Sequence, residues 1–344
     1  MKPIDLCCPE CIGDNYIRDS LSPFLSNETG TCDYCESENV PLIEPQALRD
    51  KFESLLSIYN PSDNGKSLAQ LLKEDWQLFS HSKMDLANTK VLLADILDDG
   101  EIVRKNFSIS NHCQSNAVNV WDELRAELMY KNRYFPQNSL PHQDLNEILS
   151  YFVLDDKDYI YDWHRARVNE GAKIYEPQDL SAPPKEKASS GRANPTGIPY
   201  LYLASDIDTA IAEIRPHAGN RVSSARFSIP LGLKIIDLRF PRKTASPFRA
   251  DDEGKLEKLR MHVDLFVQLG FELSQPIAPQ HANYHYIPTQ YLCELFKNKT
   301  FDGVMYKSSI GNGTNIAIFY PEKAQIHEII QHQVNQIFVE HALA

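Results

Sequence analysis

The chain has 344 residues, of which 42% are hydrophobic, 24% charged and 10% aromatic, with 14 glycines; this excludes fibrous, collagenous and wholly disordered classes and predicts more than one core. The formal net charge of −12 argues against general nucleic-acid binding, whose affinity comes from phosphate neutralisation by Lys and Arg. Asp5, Glu10, Asp14 and Asp19 crowd the first twenty residues without an apolar signal core, and no apolar run approaches the ~18 residues of a membrane span, so a soluble, cytoplasmic protein with no membrane partner is expected.

The charge is uneven. Residues 1–150 carry 13 basic and 24 acidic residues, net −11, whereas residues 151–344 carry 22 and 23, net −1, which predicts two functional halves. The cysteines are uneven too: Cys7, Cys8, Cys11, Cys32 and Cys35 lie in the first 35 residues, apart from Cys113 and Cys293. Cys8-Pro-Glu-Cys11 and Cys32-Asp-Tyr-Cys35 are two C-x2-C knuckles at a spacing used by structural zinc sites. Two thiolates on each of two tight turns close a tetrahedron, with Cys7 a spare able to replace Cys8. All four positions being thiolate, the Zn2+ expected here is structural rather than catalytic. No strand-then-helix pattern flanks either pair, which disfavours a redox motif.

Helical periodicity follows. Leu48, Phe52, Leu55, Leu56 and Tyr59 fall on one face, then Leu68, Leu71, Leu72, Trp76 and Phe79, then Leu86, Leu93, Ile96 and Leu97, then Ala117, Trp121, Leu124 and Leu128. Residues ~42–150 are therefore expected to form an all-α bundle behind a zinc ribbon. The stripes are read as core packing and carry no chemistry. A helical ribonuclease signature, Arg-x4–6-His, is missing, because Arg104 and His112, like Arg133 and His142, stand too far apart.

From about residue 155 short strands and turns take over. Extended segments are predicted at 159–168, 199–204, 222–229, 233–238, 303–306 and 315–320, with helices around 207–214, 256–267 and 291–296. Ser205 with Asp208 resembles a capping box opening the first of these helices. Strands outnumber helices without regular βαβ alternation, so this half is α+β rather than a doubly wound parallel sheet.

Candidate chemistry gathers in the same half. Residues 191–197, Gly-Arg-Ala-Asn-Pro-Thr-Gly, open into the strand Tyr-Leu-Tyr-Leu-Ala, whose alternation puts Tyr200 and Tyr202 on one face. They are either core residues or an aromatic surface for a planar ligand. Glu213 lies off the apolar stripe of its helix, where a solvated carboxylate is the ordinary expectation. Arg165 and Arg167 share a strand face and suit bidentate phosphate binding; His164 between them and Trp163 is read as structural. Gly311-Asn312-Gly313 is read as a hairpin turn, since it lacks the spacing of a phosphate loop.

The order of these segments is more specific than any one of them. His-Arg-Ala-Arg at 164–167, Gly-Arg-Ala-Asn-Pro-x-Gly at 191–197, Leu-Tyr-Leu-Ala at 201–204 with Glu213, Tyr-x-Pro-Thr-Gln-Tyr at 286–291, and Phe-Asp-Gly-Val-Met-Tyr-Lys-Ser-Ser at 301–309 with Asn315 and Phe319 together resemble the RES domain family over about residues 155–325. The knuckles and following helices also resemble the zinc-and-helix domain found ahead of some RES domains. The resemblance implies zinc-binding knuckles at 1–40, a helical RES-associated domain at 41–154, an ADP-ribosyltransferase-like α+β RES domain at 155–325 and a C-terminal extension at 326–344. It implies a toxin of a toxin–antitoxin or defence system that degrades NAD+ as a glycohydrolase or phosphorylase. ADP-ribosylation of a protein target is the alternative, and a catalytically silent zinc-containing binding module a third. The family arginine, glutamate and serine map to Arg165, Glu213 and Ser308, with Arg167 and Ser309 as rivals. Arg192 and Tyr202, and after them Tyr175, take the roles of the second arginine and the aromatic residue that hold NAD+. The chain departs from a minimal member by its acidic N-terminal half and by the stretch 241–280, whose loops are placed to modify access. An antitoxin or regulatory protein is expected to meet the acidic half, and a homodimer is one assembly this reading admits.

Overall fold

The computed structural model describes residues 5–21, 29–140, 142–160, 162–171, 173–277 and 279–337. The chain divides into two compact units, residues 1–118 with 241–265, and residues 119–240 with 266–344. This partition differs from the sequence boundary at 154/155, because residues 241–265 return to the first unit and residues from 119 onward join the second.

In the first unit, the two-residue strands β1 (Thr29–Gly30) and β2 (Val40–Pro41) pair antiparallel beside the cysteine turns. The helices Arg49–Leu56, Leu68–Trp76 and Leu86–Leu97 follow the expected stripes, except that Leu86, at the first residue of the third, is exposed rather than in the core. The all-α expectation fails between them: β3 (Tyr59–Ser67) pairs antiparallel with β4 (Asn106–Ile109). Tyr59, expected on a helix, instead opens β3, in which Pro61 lacks an amide donor and disfavours helical backbone at Asn60; the helix itself ends at Leu56 with Ser57 as its C-cap. Phe79 likewise lies beyond its helix, which closes at Gln77 in left-handed conformation, and its ring reaches Phe52 at 5.9 Å. Residues 241–265 are joined to this unit by packing and charge. Phe248 lies 5.2 Å from Phe52, and the Asp75 carboxylate accepts from Tyr59 Oη at 2.8 Å and Arg260 Nη2 at 2.7 Å. Asp264 in turn accepts from Arg260 and Arg242.

The second unit is built on a seven-stranded mixed sheet. Its strands are β5 (Trp163–Val168), β6 (Leu201–Ala204), β7 (Arg221–Ser228), β8 (Ile235–Asp237), β9 (Gly303–Lys307), β10 (Thr314–Ile318) and β11 (Gln325–Gln333), in the order β11-β7-β5-β6-β10-β9-β8. Every pair is antiparallel except β8–β9. The expected segments fall on these strands, apart from β11. That edge strand is mostly polar and exposed, so it offers no apolar alternation to read, and the boundary after residue 325 falls at its first residue; residues 338–344 lie outside the described residues.

One sheet face buries Trp163, Leu201, Leu203, Phe227, Ile316 and Ile318. On the other, Ala166, Ala204 and Val222 form a small-residue patch against which the helix Ile207–Glu213 packs through Ala210. That helix is capped by Asp206, whose carboxylate accepts from Thr209 N at 2.7 Å. The expected Ser205/Asp208 box is therefore not formed; Ser205 Oγ instead donates to Asp206 and accepts from Thr314 N. Among the described residues no helix is long and apolar enough to cross a membrane.

Candidate active site

The site begins where the sheet comes apart. β5 and β7 are registered at six positions, but β5 and β6 at one, His164 with Ala204. Beyond that pair a strand carbonyl needs another donor, and Arg165 Nη1 gives 3.0 Å to Tyr202 O. A half-buried arginine thus stands in for the missing ladder. Burial, with the like charge of Arg167, lowers its guanidinium to about 10, still protonated at neutral pH. Arg167 turns outward, donating to Asp179 O at 3.1 Å and lying 4.8 Å from the Tyr175 ring centroid.

Residues 191–197 wrap over Tyr202. Its hydroxyl donates to Asn194 Oδ1 at 2.7 Å and accepts from Ala193 N at 2.9 Å, while burial pushes the phenol up, keeping it a donor. Asn194 Nδ2 holds the loop by donating to the carbonyls of Ser189, Pro195 and Ile198. Position 191 has no room for a side chain: a Cβ there meets Asn194 Oδ1 at 2.5 Å and Tyr202 Oη at 2.8 Å. The Tyr-x-Pro-Thr-Gln-Tyr segment, on the helix Ile287–Asn298, clamps the loop from outside. Thr289 Oγ1 donates to Arg192 O at 2.6 Å, and Gln290 Nε2 to Gly191 O at 2.8 Å. So braced, Arg192 sends its guanidinium to the carbonyls of Gln275 (2.7 Å) and Glu272 (3.4 Å), at the end of the helix Glu253–Ser274, and to Ser309 Oγ at 3.5 Å. Orphan carbonyls and the negative end of the helix dipole favour a cation there.

Glu213 ends its helix with Oε1 accepting from Ser308 Oγ and Asn315 Nδ2, both at 2.6 Å. Among the described residues Oε2 takes no hydrogen bond. Ser308 Oγ is itself held by Gly311 N at 2.9 Å and Ile310 N at 3.2 Å. The Gly311–Gly313 turn therefore orients the serine, and its glycines pack against Thr209.

A cavity of about 460 Å³ opens among these groups, lined by Arg165, Arg192, Tyr202, Glu213, Ser309 and Asn315, with Arg215, Tyr286, Tyr306 and His164, a size typical of small-ligand sites. Burial pulls the His164 imidazole below its ordinary value. Ser308 is not among the lining residues; it reaches the site through Glu213. Tyr175 is not brought to the cavity either: it packs in the core with its hydroxyl on Val168 O at 3.1 Å. Arg215, in left-handed conformation at φ 46°, Tyr286, Tyr306 and Asn315 are lining residues that sequence reasoning gave no role. Tyr286, Tyr306 and Asn315 stood inside the quoted segments, which was the signal, whereas Arg215 carried none.

At the N-terminus the thiols of Cys8, Cys11, Cys32 and Cys35 lie within 4.8 Å of one another, with Sγ separations of 3.8, 3.5 and 3.4 Å for the pairs Cys8–Cys11, Cys8–Cys35 and Cys11–Cys32. Four thiolates ~2.3 Å from one zinc stand about 3.8 Å apart in a tetrahedron, so the cluster is compatible with Zn2+. Cys7 is outside it, its backbone bridging Ile43.

A family model described as RES domain matches residues 162–337. Among solved structures, one similar to this chain is the crystal structure of the M.tuberculosis MbcT-MbcA toxin-antitoxin complex, at 12% identity and TM-score 0.35, covering 56% of this chain and 93% of that chain. No curated protein matches the chain.

Proposed function

The chain belongs to the RES domain family, as the match over residues 162–337 requires, and from that premise we propose that the cavity around Glu213 degrades NAD+ by cleaving the nicotinamide–ribose bond. The observation that carries this reading is a carboxylate pinned through one oxygen by Ser308 and Asn315, in a cavity that also holds three arginines and three tyrosines.

In the proposed reaction the bond between ribose C1′ and the pyridinium nitrogen breaks, and its electron pair leaves with nicotinamide, which departs neutral. An oxygen of water or phosphate bonds to C1′ and loses its proton, giving ADP-ribose or its phosphate ester. Positive charge grows on the ribose in between, as in glycoside hydrolysis. Glu213 is placed to stabilise that charge, and because Ser308 and Asn315 hold it in advance, little reorganisation is needed as the charge develops. Arg192 and Arg165 hold the pyrophosphate and so position the ribose. Tyr202 supplies a flat face, and Ser309 a hydroxyl within reach of the ribose or the carboxamide. A neutral leaving group needs no strong acid, which accords with a cavity whose one histidine is disfavoured as a cation.

The same reading takes the split sheet as ADP-ribosyltransferase-like, the four cysteines as ligands of a structural Zn2+, and the protein as a toxin whose acidic residues 1–150 meet an antitoxin or regulatory protein. Incubating the purified chain with NAD+ and separating the products tests it. Free nicotinamide with ADP-ribose or its phosphate ester is expected, with phosphate dependence deciding the acceptor. Glu213→Gln is expected to lower the rate by a factor on the order of 10² to 10³ while circular dichroism stays unchanged. Full activity in that variant would remove Glu213 from the chemistry.

A further inference from the structure

A second pocket of about 360 Å³ lies beside the first, and Ile277 lines both. Arg192 is the other link. Its guanidinium reaches Ser309 on the Glu213 side and the carbonyls of Glu272 and Gln275, two residues that line the second pocket. We propose that this second pocket receives the adenosine half of the dinucleotide, an inference that rests on the NAD+ reading above.

A dinucleotide is two nucleosides joined through a pyrophosphate. With the nicotinamide ribose at Glu213 and the pyrophosphate at Arg192, the remaining half continues past Gln275 and Ile277. The walls there suit a neutral, flat ring. Phe271 lines the pocket while 57% exposed, a large apolar side chain with no core to fill. His285 presents a ring backed by Tyr284, with centroids 4.5 Å apart and planes inclined by 32°. Gln268 and Gln275 also line it and bring amide groups suited to the hydrogen-bonding edge of a purine. The charges at its base largely cancel: Arg125 Nε lies 3.5 Å from Glu272 Oε1, which also accepts from Trp121 Nε1 at 2.8 Å. A pocket meant for a second free anion has no use for that carboxylate, whereas a base and a ribose tolerate it.

The partition gives each cavity its own task. Bond cleavage is assigned to the Glu213 side and recognition of the remote half to the Phe271–His285 side, whose contacts are the same in the ground and transition states and so act on KM rather than kcat.

The test measures AMP binding by calorimetry, together with KM for NAD+, in the wild-type full-length chain and in Phe271→Ala, His285→Ala and Glu213→Ala. Stacking contacts of this kind are worth roughly a tenfold change in affinity or more when truncated to alanine. The expected result is AMP binding to the wild type, weakened about tenfold in the Phe271 and His285 variants and retained in Glu213→Ala, with KM for NAD+ raised in parallel and kcat little changed. AMP that fails to bind, or that binds equally to the wild type and to the Phe271 and His285 variants, overturns the proposal. The two readings fail separately. AMP binding that follows the two variants in a chain that does not consume NAD+ supports the pocket and sinks the catalytic reading; NAD+ consumption with unchanged KM and AMP binding in both variants does the reverse.

Discussion

At the carboxylate, two adjacent serines have separate work. Ser308 Oγ donates to Glu213 Oε1, whereas Ser309 Oγ faces the cavity and accepts from Arg192. Ser308→Ala removes one of two donors on Oε1, and we expect kcat for NAD+ cleavage to fall by roughly tenfold or more, with KM changed less, because the interaction acts through charge developing in the transition state. Ser309→Ala is expected to act mainly on KM; steady-state kinetics on the pair checks the division, and a larger kcat loss in the Ser309 variant would reverse the assignment. Gly191→Ala is predicted to destabilise the folded chain by about 1–3 kcal/mol, because its new Cβ meets the Asn194 and Tyr202 oxygens within 2.8 Å; denaturation midpoints measure this. The motif order on the chain singled out Arg165, Arg192, Tyr202, Glu213 and Ser308, with Ser309 as a rival for the serine; all but Ser308 line one cavity. It gave Tyr175 a ligand role, yet that ring is buried in the core under Arg167 and Lys173. A tyrosine in a loop carries no period that tells core from pocket.

Among the elements, regular periodicity was readable wherever a stripe was long. The helix Ala117–Tyr130 lies on its predicted stripe and the helix Leu86–Leu97 does so from Leu93 on, Leu86 being exposed; β7 and β10 fall on their predicted segments. Short elements were harder: Tyr59 and Phe79 stand at helical spacing but leave their helices, because β3 opens at Tyr59 and a left-handed cap ends the run before Phe79. The cysteine turns are elements of another kind, two loops too small to hold themselves. If they close on Zn2+, Cys32→Ser is expected to abolish bound zinc and to lower the melting temperature by on the order of 10 °C. Metal analysis and a thermal scan read both, and a variant that keeps its metal would remove Cys32 from the ligand set. Pairing of the knuckles followed from their spacing, but leaving Cys7 out needed the fold, since the four thiols that gather within 4.8 Å of one another are those of Cys8, Cys11, Cys32 and Cys35.

Over the whole molecule, charge connects distant stretches of chain. Asp264 is half-buried, which opposes its ionisation, yet Arg260 and Arg242 hold its carboxyl below the ordinary value. With the folded-state value below the unfolded one, this contribution to stability is present above about pH 4 and is lost as pH falls through the folded value. The stability gap between wild type and Asp264→Asn, measured by denaturant titration, should therefore narrow from pH 6 towards pH 3; a gap independent of pH would show that the ion pairs are not its source. The sequence alone determined that the chain is α+β, that acidic residues concentrate in its first 150, that four thiols form two knuckles and that the RES segments occur in order. These follow from composition, period and spacing, which are local. The tertiary structure alone decided that residues 241–265 belong with the first unit, that β11 closes the sheet edge, and that β5 and β6 part at Arg165. It also decided that Ser308 serves the carboxylate while Ser309 faces the cavity. Each of these depends on which distant groups satisfy a buried carbonyl, carboxylate or guanidinium, and no local pattern encodes that choice.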